Sequence, residues 1–204
     1  MRSSGSLVYR WLEESWHNLW ELVAFNFLWF VLTLPVVTAP AAAAGLFYAT
    51  NLLAHEKPVG WRTFFEGFRE HFWLSWRWGA VNLFAVLLFA SNILFYKQFQ
   101  TTWSGWLRGI FWGLALLWSF LQVFTFPLLL EQSDQRIFTA LRNSLVLYLR
   151  RPGLAVLVAA FVLALAFLSA MFAWPLWVVL VAGLGAYLAN LAVLHILKEI
   201  NDGE

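Results

Sequence analysis

The sequence predicts an all-α, polytopic membrane protein in which about six embedded helices form three hairpins and two amphipathic helices lie on the cytoplasmic side. Hydrophobic residues make up 62% of the chain and charged residues only 12%, which is too few charges to cover the surface of a soluble domain. Several uncharged stretches also reach the roughly 20 apolar residues that a helix needs to cross a bilayer. The predicted embedded segments, all in one domain over residues 1–204, are 16–36, 40–55, 78–97, 108–130, 153–173 and 175–197.

Composition also excludes some kinds of chemistry and partner. The chain has no cysteine, so disulfides, thiol catalysis and cysteine-bound metals are excluded. Its formal net charge of +2 is too small to indicate nucleic acid as a partner. The 14 tryptophans are typical of a protein that places aromatic rings at both faces of a bilayer.

The first two embedded segments share one uncharged run, Leu22–Ala54, which is longer than one crossing needs and short for two. Pro35 and Pro40 divide it. Proline ends a helix that precedes it, and in the first turn of a helix its missing N–H is not needed. We therefore expect two crossings with a turn at 36–39. One long kinked span with the N-terminus outside is the alternative. A signal peptide cleaved near Ala41–Ala44 is a third interpretation, which the acidic residues of its leading segment disfavour.

Three further uncharged runs predict the remaining embedded helices, at 78–96, 109–130 and 152–197. Pro175 divides the last run into two halves, each of which is long enough to span a bilayer. Tryptophans flank this proline within the stretch 174–177, as expected of a tight turn at a membrane interface. These runs predict two further hairpins after the first.

The distribution of Lys and Arg predicts the orientation in the membrane. Segments 55–77 and 131–151 carry most of the 13 Lys and Arg residues. Two predicted spans separate these segments, so both lie on the same side. Because positively charged loops favour the cytoplasmic side, we expect both loops and both termini to be cytoplasmic.

Two of the cytoplasmic segments, 61–76 and 133–150, have apolar residues at helical spacing. Each predicts a helix that lies flat on the membrane or packs under the bundle. They align when shifted by 73 residues, which indicates a diverged repeat of inward helix, surface helix and outward helix. A plain linker and a docking helix for a partner are both open interpretations. The candidate docking residues are Phe68, Arg69 and Arg142.

The apolar stripe of each segment is the face that would lie on the membrane or pack under the bundle. In the first segment the stripe is Trp61, Phe64, Phe65, Phe68, Phe72 and Trp76. In the second segment the stripe is Phe138, Leu141, Leu145, Tyr148 and Leu149.

The first half of the chain also resembles a known family. The stretches "NFLWFVLTLPVVTAPAAAAGLFYA" and "FFEGFREHF" are similar to the opening of the YesL-like membrane proteins, filed as domain of unknown function 624. The resemblance covers roughly residues 20–95. Where that family usually has a glycine before the second proline, this chain has Ala39. The matching positions include Asn26, Pro35, Thr38, Pro40, Tyr48, Phe65, Phe68 and Arg69.

This resemblance implies a source and a setting that composition does not. The family is bacterial and is often associated with carbohydrate uptake systems, so the resemblance implies a multi-pass protein of the bacterial inner membrane. It carries over no catalytic residues.

The embedded segments offer little for catalysis. No Asp, Glu, Lys or Arg falls near the centre of a predicted span, whereas a coupled transporter or an intramembrane hydrolase usually keeps such a group there. The four histidines have no metal-ligand spacing. We therefore predict no catalytic, cofactor-binding or metal-binding residues and no enzymatic activity.

A few uncharged polar residues lie inside the spans, where they either bond neighbouring helices together or line a small uncharged cavity. The candidate cavity residues are Asn26, Gln122 and Asn190. A row of glycines predicts close packing of the fourth span against another helix. The glycines of this row are Gly105, Gly109 and Gly113.

The favoured hypothesis is a non-enzymatic accessory or scaffold protein that is associated with a carbohydrate uptake system and docks through its cytoplasmic helices. The alternative is a small uncoupled transporter or channel for a neutral solute. We favour the first because the embedded polar residues are few and uncharged, while two amphipathic helices face the cytoplasm. The expected partners are the lipid bilayer and other membrane proteins, such as a carbohydrate importer, and not nucleic acid.

Overall fold

The computed structural model describes residues 16, 18–99, 101–172 and 181–201 of the chain. Within these residues the regular structure is helical and there is no strand, so the predicted all-α class is confirmed. The helices are α1 (Leu19–Thr33), α2 (Ala39–Ala54), α3 (Trp61–Glu70), α4 (Phe72–Lys97), α5 (Thr102–Glu131), α6 (Ile137–Arg150), α7 (Pro152–Phe172) and α8 (Ala182–Asn201).

Three stretches of the described helices are long and apolar enough to cross a membrane: α4, α5 and the segment Pro152–Ser169 of α7. They correspond to three of the predicted spans. α1 and α2 are apolar but have only 15 and 16 residues, fewer than an ordinary span. The chain is therefore a membrane-type helical protein, and the count of six embedded helices in three hairpins stays a prediction.

The proline pair separates α1 from α2. α1 ends at Thr33 and α2 begins at Ala39, and the backbone between them turns through Val36, whose φ is 58°. Pro40 lies in the first turn of α2, where its missing N–H costs no hydrogen bond. Ala39, which stands where the YesL-like family usually has glycine, is helical, so this turn needs no glycine at that position.

α2 is the centre of the bundle and packs against α1, α3, α4, α5 and α8. Its sequence is rich in alanine, and Ala41, Ala42, Ala44 and Ala49 are fully buried. Small side chains let helices approach closely where lipid supplies no hydrophobic drive for packing. The largest core cluster joins α2 to α5, α7 and α8, so the C-terminal helices close around the same central helix.

The first surface helix is shorter than the predicted 61–76. α3 covers only Trp61–Glu70, and after His71 the chain continues as α4, before the predicted start of that span at 78. The N–H of buried His71 donates to the carbonyl of Gly67 at 3.1 Å, and its carbonyl accepts from the N–H of Ser75 at 2.8 Å. One residue thus ends the surface helix and starts the membrane-type helix.

The second surface helix, α6, starts later than the predicted 133, and it does not pack on most of the predicted stripe. Its buried residues are Ala140, Ser144 and Leu147. Phe138 and Leu149 of the apolar stripe are 79% and 73% exposed, so these residues face away from the described bundle. Small residues bring α6 close enough to α5 for Ser144 to hydrogen-bond its backbone, which large side chains in the same place would prevent.

The glycine row of α5 does not make the contact that its spacing predicts. No atom lies within 4 Å of a Cβ built at Gly105, Gly109 or Gly113, because the row faces away from the described part of the bundle. Other glycines do admit close neighbours. A Cβ at Gly183 would lie 3.1 Å from the backbone oxygen of Leu22.

Some predictions concern residues that the structure does not describe. The predicted turn at 174–177, the start of the predicted segment 175–197 and the chain before residue 16 lie outside the described residues.

Candidate functional site

α3 is attached to α2 by close contact at two glycines. A Cβ at Gly67 would lie 2.5 Å from the Cβ of Tyr48, and one at Gly45 would lie 2.8 Å from the carbonyl oxygen of Phe64. Real side chains do not approach so closely, so this contact requires glycine. Phe64 is fully buried in a core cluster with Phe25. α3 is therefore held in one position on the bundle.

The opposite face of α3 is open. A surface groove of about 430 Å³ is lined by Trp61, Arg62, Phe65, Glu66 and Arg69. Trp61 is 62% exposed, and the guanidinium carbon of Arg62 lies 5.4 Å from the centre of its ring, within range of cation–π attraction. The groove combines aromatic rings with charges of both signs on one fixed helix.

The structure places the predicted docking residues in three different surroundings. Arg69 is exposed and lines the groove together with Phe65. Phe68 is half-buried against the core cluster that contains Phe64, so only part of its ring can reach a partner. Arg142 is exposed on α6. The groove therefore contains one of the three predicted docking residues and borders a second.

Two of the family-motif positions form hydrogen bonds that hold α1 and the turn after it. Asn26 is fully buried, and its Oδ1 accepts a hydrogen bond from the N–H of Gly183 at 2.6 Å, which ties α1 to the start of α8. The hydroxyl of Thr38 donates to the carbonyl of Leu32 and so closes the turn that the two motif prolines flank. These motif residues therefore position α1 and α2 rather than face a partner.

His71 occupies the corner between α3 and α4, outside the membrane-type helices. Its ring lies 5.4 Å from that of the motif residue Tyr48, and the residue is only 4% exposed. Burial lowers the pKa of His71, and the neighbouring Glu70 carboxylate opposes this shift. The corner is therefore packed around a neutral imidazole.

The three amides predicted to line a cavity lie in separate places. Asn26 is bonded to the start of α8. Asn190 is fully buried, and its Nδ2 donates to the hydroxyl of Thr50 on α2 at 3.0 Å. Gln122 lies between α5 and α4, where its Oε1 accepts from the indole N–H of Trp78 at 2.9 Å. In the part of the chain that the structure describes, these amides bond helices together.

A polar network at the C-terminal ends of α2 and α5 was not predicted. The Nδ2 of Asn51 donates to Glu131 Oε1 at 2.7 Å and to Asn190 Oδ1 at 3.3 Å. His55 Nε2 lies 3.7 Å from the same Glu131 oxygen. The predicted topology could have indicated the pair of Asn51 and Glu131, because both residues lie at the inner ends of helices that were predicted to run inward.

The hydrogen bonds of this network join neighbouring helices. Its amide N–H groups donate to acceptors on neighbouring helices, which stabilises the contact of α2 with α5 and α8. Among the described residues, no three His, Asp or Glu side chains converge in a way that could hold a metal ion.

The fold and the groove of α3 together describe a class of protein: a membrane-type helical bundle that presents a rigidly attached surface helix. Residues 22–93 match the family model described as "Protein of unknown function, DUF624". The matched stretch, 72 of the 204 residues, is similar to that family, and the YesL-like resemblance is consistent with the match. The matched range runs from α1 into α4 and includes α3, its groove and both close glycine contacts. Neither the curated proteins nor the solved structures compared with the chain gave a match.

Proposed function

We propose that this protein is a non-enzymatic accessory or scaffold protein of the bacterial inner membrane, which docks a cytoplasmic partner through the groove of α3. The observation that carries the proposal is the combination, on one helix, of a rigid attachment and an open groove of mixed chemistry. The YesL-like resemblance supports a component of a carbohydrate uptake system as the partner.

The rigid attachment supports docking because a preformed surface loses little conformational freedom on binding. α2 and α3 approach so closely at Gly45 and Gly67 that neither position has room for a Cβ. Its first turn is also defined, since the N–H of Gly60 donates to the hydroxyl of Thr63 at 3.2 Å. Trp61 and Arg62 are therefore presented from a fixed backbone.

The composition of the groove supports a protein partner. Aromatic and Arg side chains are enriched where proteins bind one another and often contribute most of the binding energy. Glu66 and Arg69 add charges of both signs, which select a partner with a matching pattern. An anionic bilayer surface, which attracts cations alone, is a poorer match for this mixture.

The contacts of the described residues favour docking over the alternative of an uncoupled transporter for a neutral solute. That hypothesis placed Asn26, Gln122 and Asn190 around one cavity. Asn26 and Asn190 are fully buried and hydrogen-bonded to neighbouring helices. We therefore do not propose it.

Co-purification from native membranes in mild detergent tests the docking proposal. Because Arg69 is exposed, Arg69→Glu should change the free energy of unfolding by less than about 0.5 kcal/mol. It should nevertheless lower the recovery of the partner about ten-fold, as expected for loss of an important interface residue. Lys97→Glu, at the exposed end of α4, is the matched charge reversal and should leave recovery unchanged.

Two outcomes would contradict parts of the proposal. If Arg69→Glu and Trp61→Ala both leave the co-purifying proteins unchanged, α3 is not a docking helix. If the partner that Arg69→Glu releases belongs to no carbohydrate uptake system, docking stands and the carbohydrate association does not.

A further inference from the structure

The chain connections of α6 place it at a membrane surface. Residues 132–136 connect α5 to α6, and Arg151 alone connects α6 to α7. Both neighbouring helices contain segments long and apolar enough to cross a membrane. A spanning helix ends near the bilayer surface, so the helix between two such ends lies at that surface.

The face of α6 that contacts α5 is held by hydrogen bonds. Ser144 Oγ donates to the carbonyl of Leu121 at 2.9 Å, and the hydroxyl of Tyr148 donates to the carbonyl of Phe120 at 2.7 Å. Burial raises the pKa of Tyr148, so the phenol keeps the proton that it donates. The opposite face of α6 is therefore turned outward.

The outward face is an apolar stripe that contains an arginine. Phe138, Leu145 and Leu149 are 79%, 46% and 73% exposed. Helical spacing places Arg142 between them on the same face. At a bilayer surface such residues can enter the boundary of the acyl chains, while the arginine stem extends along it and the guanidinium reaches the headgroups.

The charge of α6 is one-sided. The segment Ile137–Arg150 contains no acidic residue, whereas α3 has equal numbers of Arg and Glu. The arginines that flank α6 each pair with a carboxylate. Arg142 and Arg150, by contrast, are exposed and form no ion pair within the described residues. Their charges are available to an anionic partner.

We propose that the outward face of α6 binds anionic phospholipid. Phe138, Leu145 and Leu149 enter the boundary of the acyl chains, and Arg142 and Arg150 bind lipid phosphates. This assigns Arg142 to the lipid surface rather than to a docked protein. The two surface helices then have different partners, because α3 lacks the excess of positive charge that attracts an anionic membrane.

Depth measurements test the position of α6. The chain has no cysteine, so a cysteine introduced at Leu149 can carry the only thiol-linked fluorophore on the full-length protein. The labelled protein is reconstituted into phosphatidylcholine vesicles, with or without phosphatidylglycerol, whose brominated acyl chains quench nearby labels. We expect strong quenching at Leu149, greater with phosphatidylglycerol, and little quenching of a matched label at Glu66 in the groove of α3.

Unquenched label at Leu149 in both kinds of vesicle would overturn the proposal. Protection of that label from lipid by a bound protein would also overturn it and would assign the face to a protein partner.

Lipid retention tests the two arginines separately from the apolar stripe. The ratio of phosphatidylglycerol to phosphatidylcholine retained by the purified chain should fall about five-fold for each of Arg142→Gln and Arg150→Gln, as expected for one surface charge near anionic lipid. Lysine at both positions should restore the ratio, because charge and not guanidinium geometry is required. The control pair Arg62→Gln and Arg69→Gln should leave it unchanged. Equal ratios in the wild type and the Arg142→Gln, Arg150→Gln variant would overturn the proposal.

Discussion

α3 and α6 occupy corresponding places in the chain but are held by different interactions. Each follows a helix predicted to run inward and is joined by a single residue to a long apolar helix. α3 is held by shape, through glycines that admit no Cβ. α6 is held by two hydroxyl groups that donate to carbonyls of α5. We therefore expect added side-chain volume to destabilise the packing of α3, and loss of a hydrogen-bond donor to destabilise the packing of α6.

The correspondence extends to the buried positions. The shift of 73 residues that aligns the two predicted surface helices also aligns three pairs of buried residues: Gly67 with Ala140, His71 with Ser144 and Leu74 with Leu147. The pairs differ in one consequence, since α3 ends before His71 whereas α6 continues through Ser144. The segment from α3 into α4 and the helix α6 therefore share a register of buried positions, with different chemistry at the contact.

The largest effect is expected from added volume under α3. Gly67→Ala would place a Cβ 2.5 Å from that of Tyr48, so α3 must shift, at a cost of about 1–3 kcal/mol. Gly109→Ala, whose added Cβ has no atom of the described residues within 4 Å, is the matched control and should be neutral or stabilise the helix by up to about 1 kcal/mol. Thermal unfolding in detergent compares the two. Equal stability of both variants would mean that shape does not hold α3.

A smaller effect is expected from the loss of donors in α6. Ser144→Ala and Tyr148→Phe each remove one hydrogen bond to α5, which should cost about 0.5–1.5 kcal/mol apiece. Ser91→Ala is the control, because that hydroxyl is exposed and bonds only within its own helix. The same unfolding measurement applies. A double variant as stable as the wild type would contradict the role assigned to these hydroxyls.

The stability of the corner between α3 and α4 should also depend on pH. The stability of the hydroxyl contacts of α6 should not. Burial lowers the pKa of His71 below its ordinary value of about 6.5, so the unfolded state binds a proton more readily than the folded state. Stability should therefore be constant above about pH 6.5 and fall as the pH drops from there toward the lower, folded-state pKa. Unfolding temperatures in mildly acidic and neutral buffer check this. His71→Gln should flatten the profile, and an unchanged acid sensitivity would point to another group.

The smallest effects on stability are expected at the exposed arginines. Arg69→Glu on α3 and Arg142→Glu on α6 should each change the free energy of unfolding by less than about 0.5 kcal/mol. Their binding effects should separate, with protein recovery lowered only by the first and phosphatidylglycerol retention only by the second. Co-purification and lipid analysis of the same preparations measure both. Loss of protein and lipid together in either variant would show that the two helices are not specialised.

Local rules account for the features that could be predicted. The helical class depends on composition, and the break between α1 and α2 depends on Pro35 and Pro40, whose effects are confined to neighbouring turns. Arg69 could be placed on an open surface because helical spacing puts it on the same side of its helix as the charged residues Arg62 and Glu66.

Distant contacts account for most of what could not be predicted. Asn51 and Glu131 are 80 residues apart, and no local pattern pairs them. The length of α3 also escaped prediction, because the corner at His71 is packed against Tyr48 of another helix, and histidine is not a strong helix breaker.

The all-helical class, three segments that suit a bilayer and the break between α1 and α2 followed from the sequence alone. Only the tertiary structure decided which face of each surface helix is buried. The rule that apolar faces pack inward assumes water outside the protein. Beside a bilayer, a large apolar side chain is as stable against lipid as against another helix, so small and hydrogen-bonding residues decide the contact. On the proposal that the outward face of α6 meets lipid, this accounts for Ala140 and Ser144 facing α5 while Phe138 faces outward. At α3 the contact is decided by the close approach of Gly67 to Tyr48.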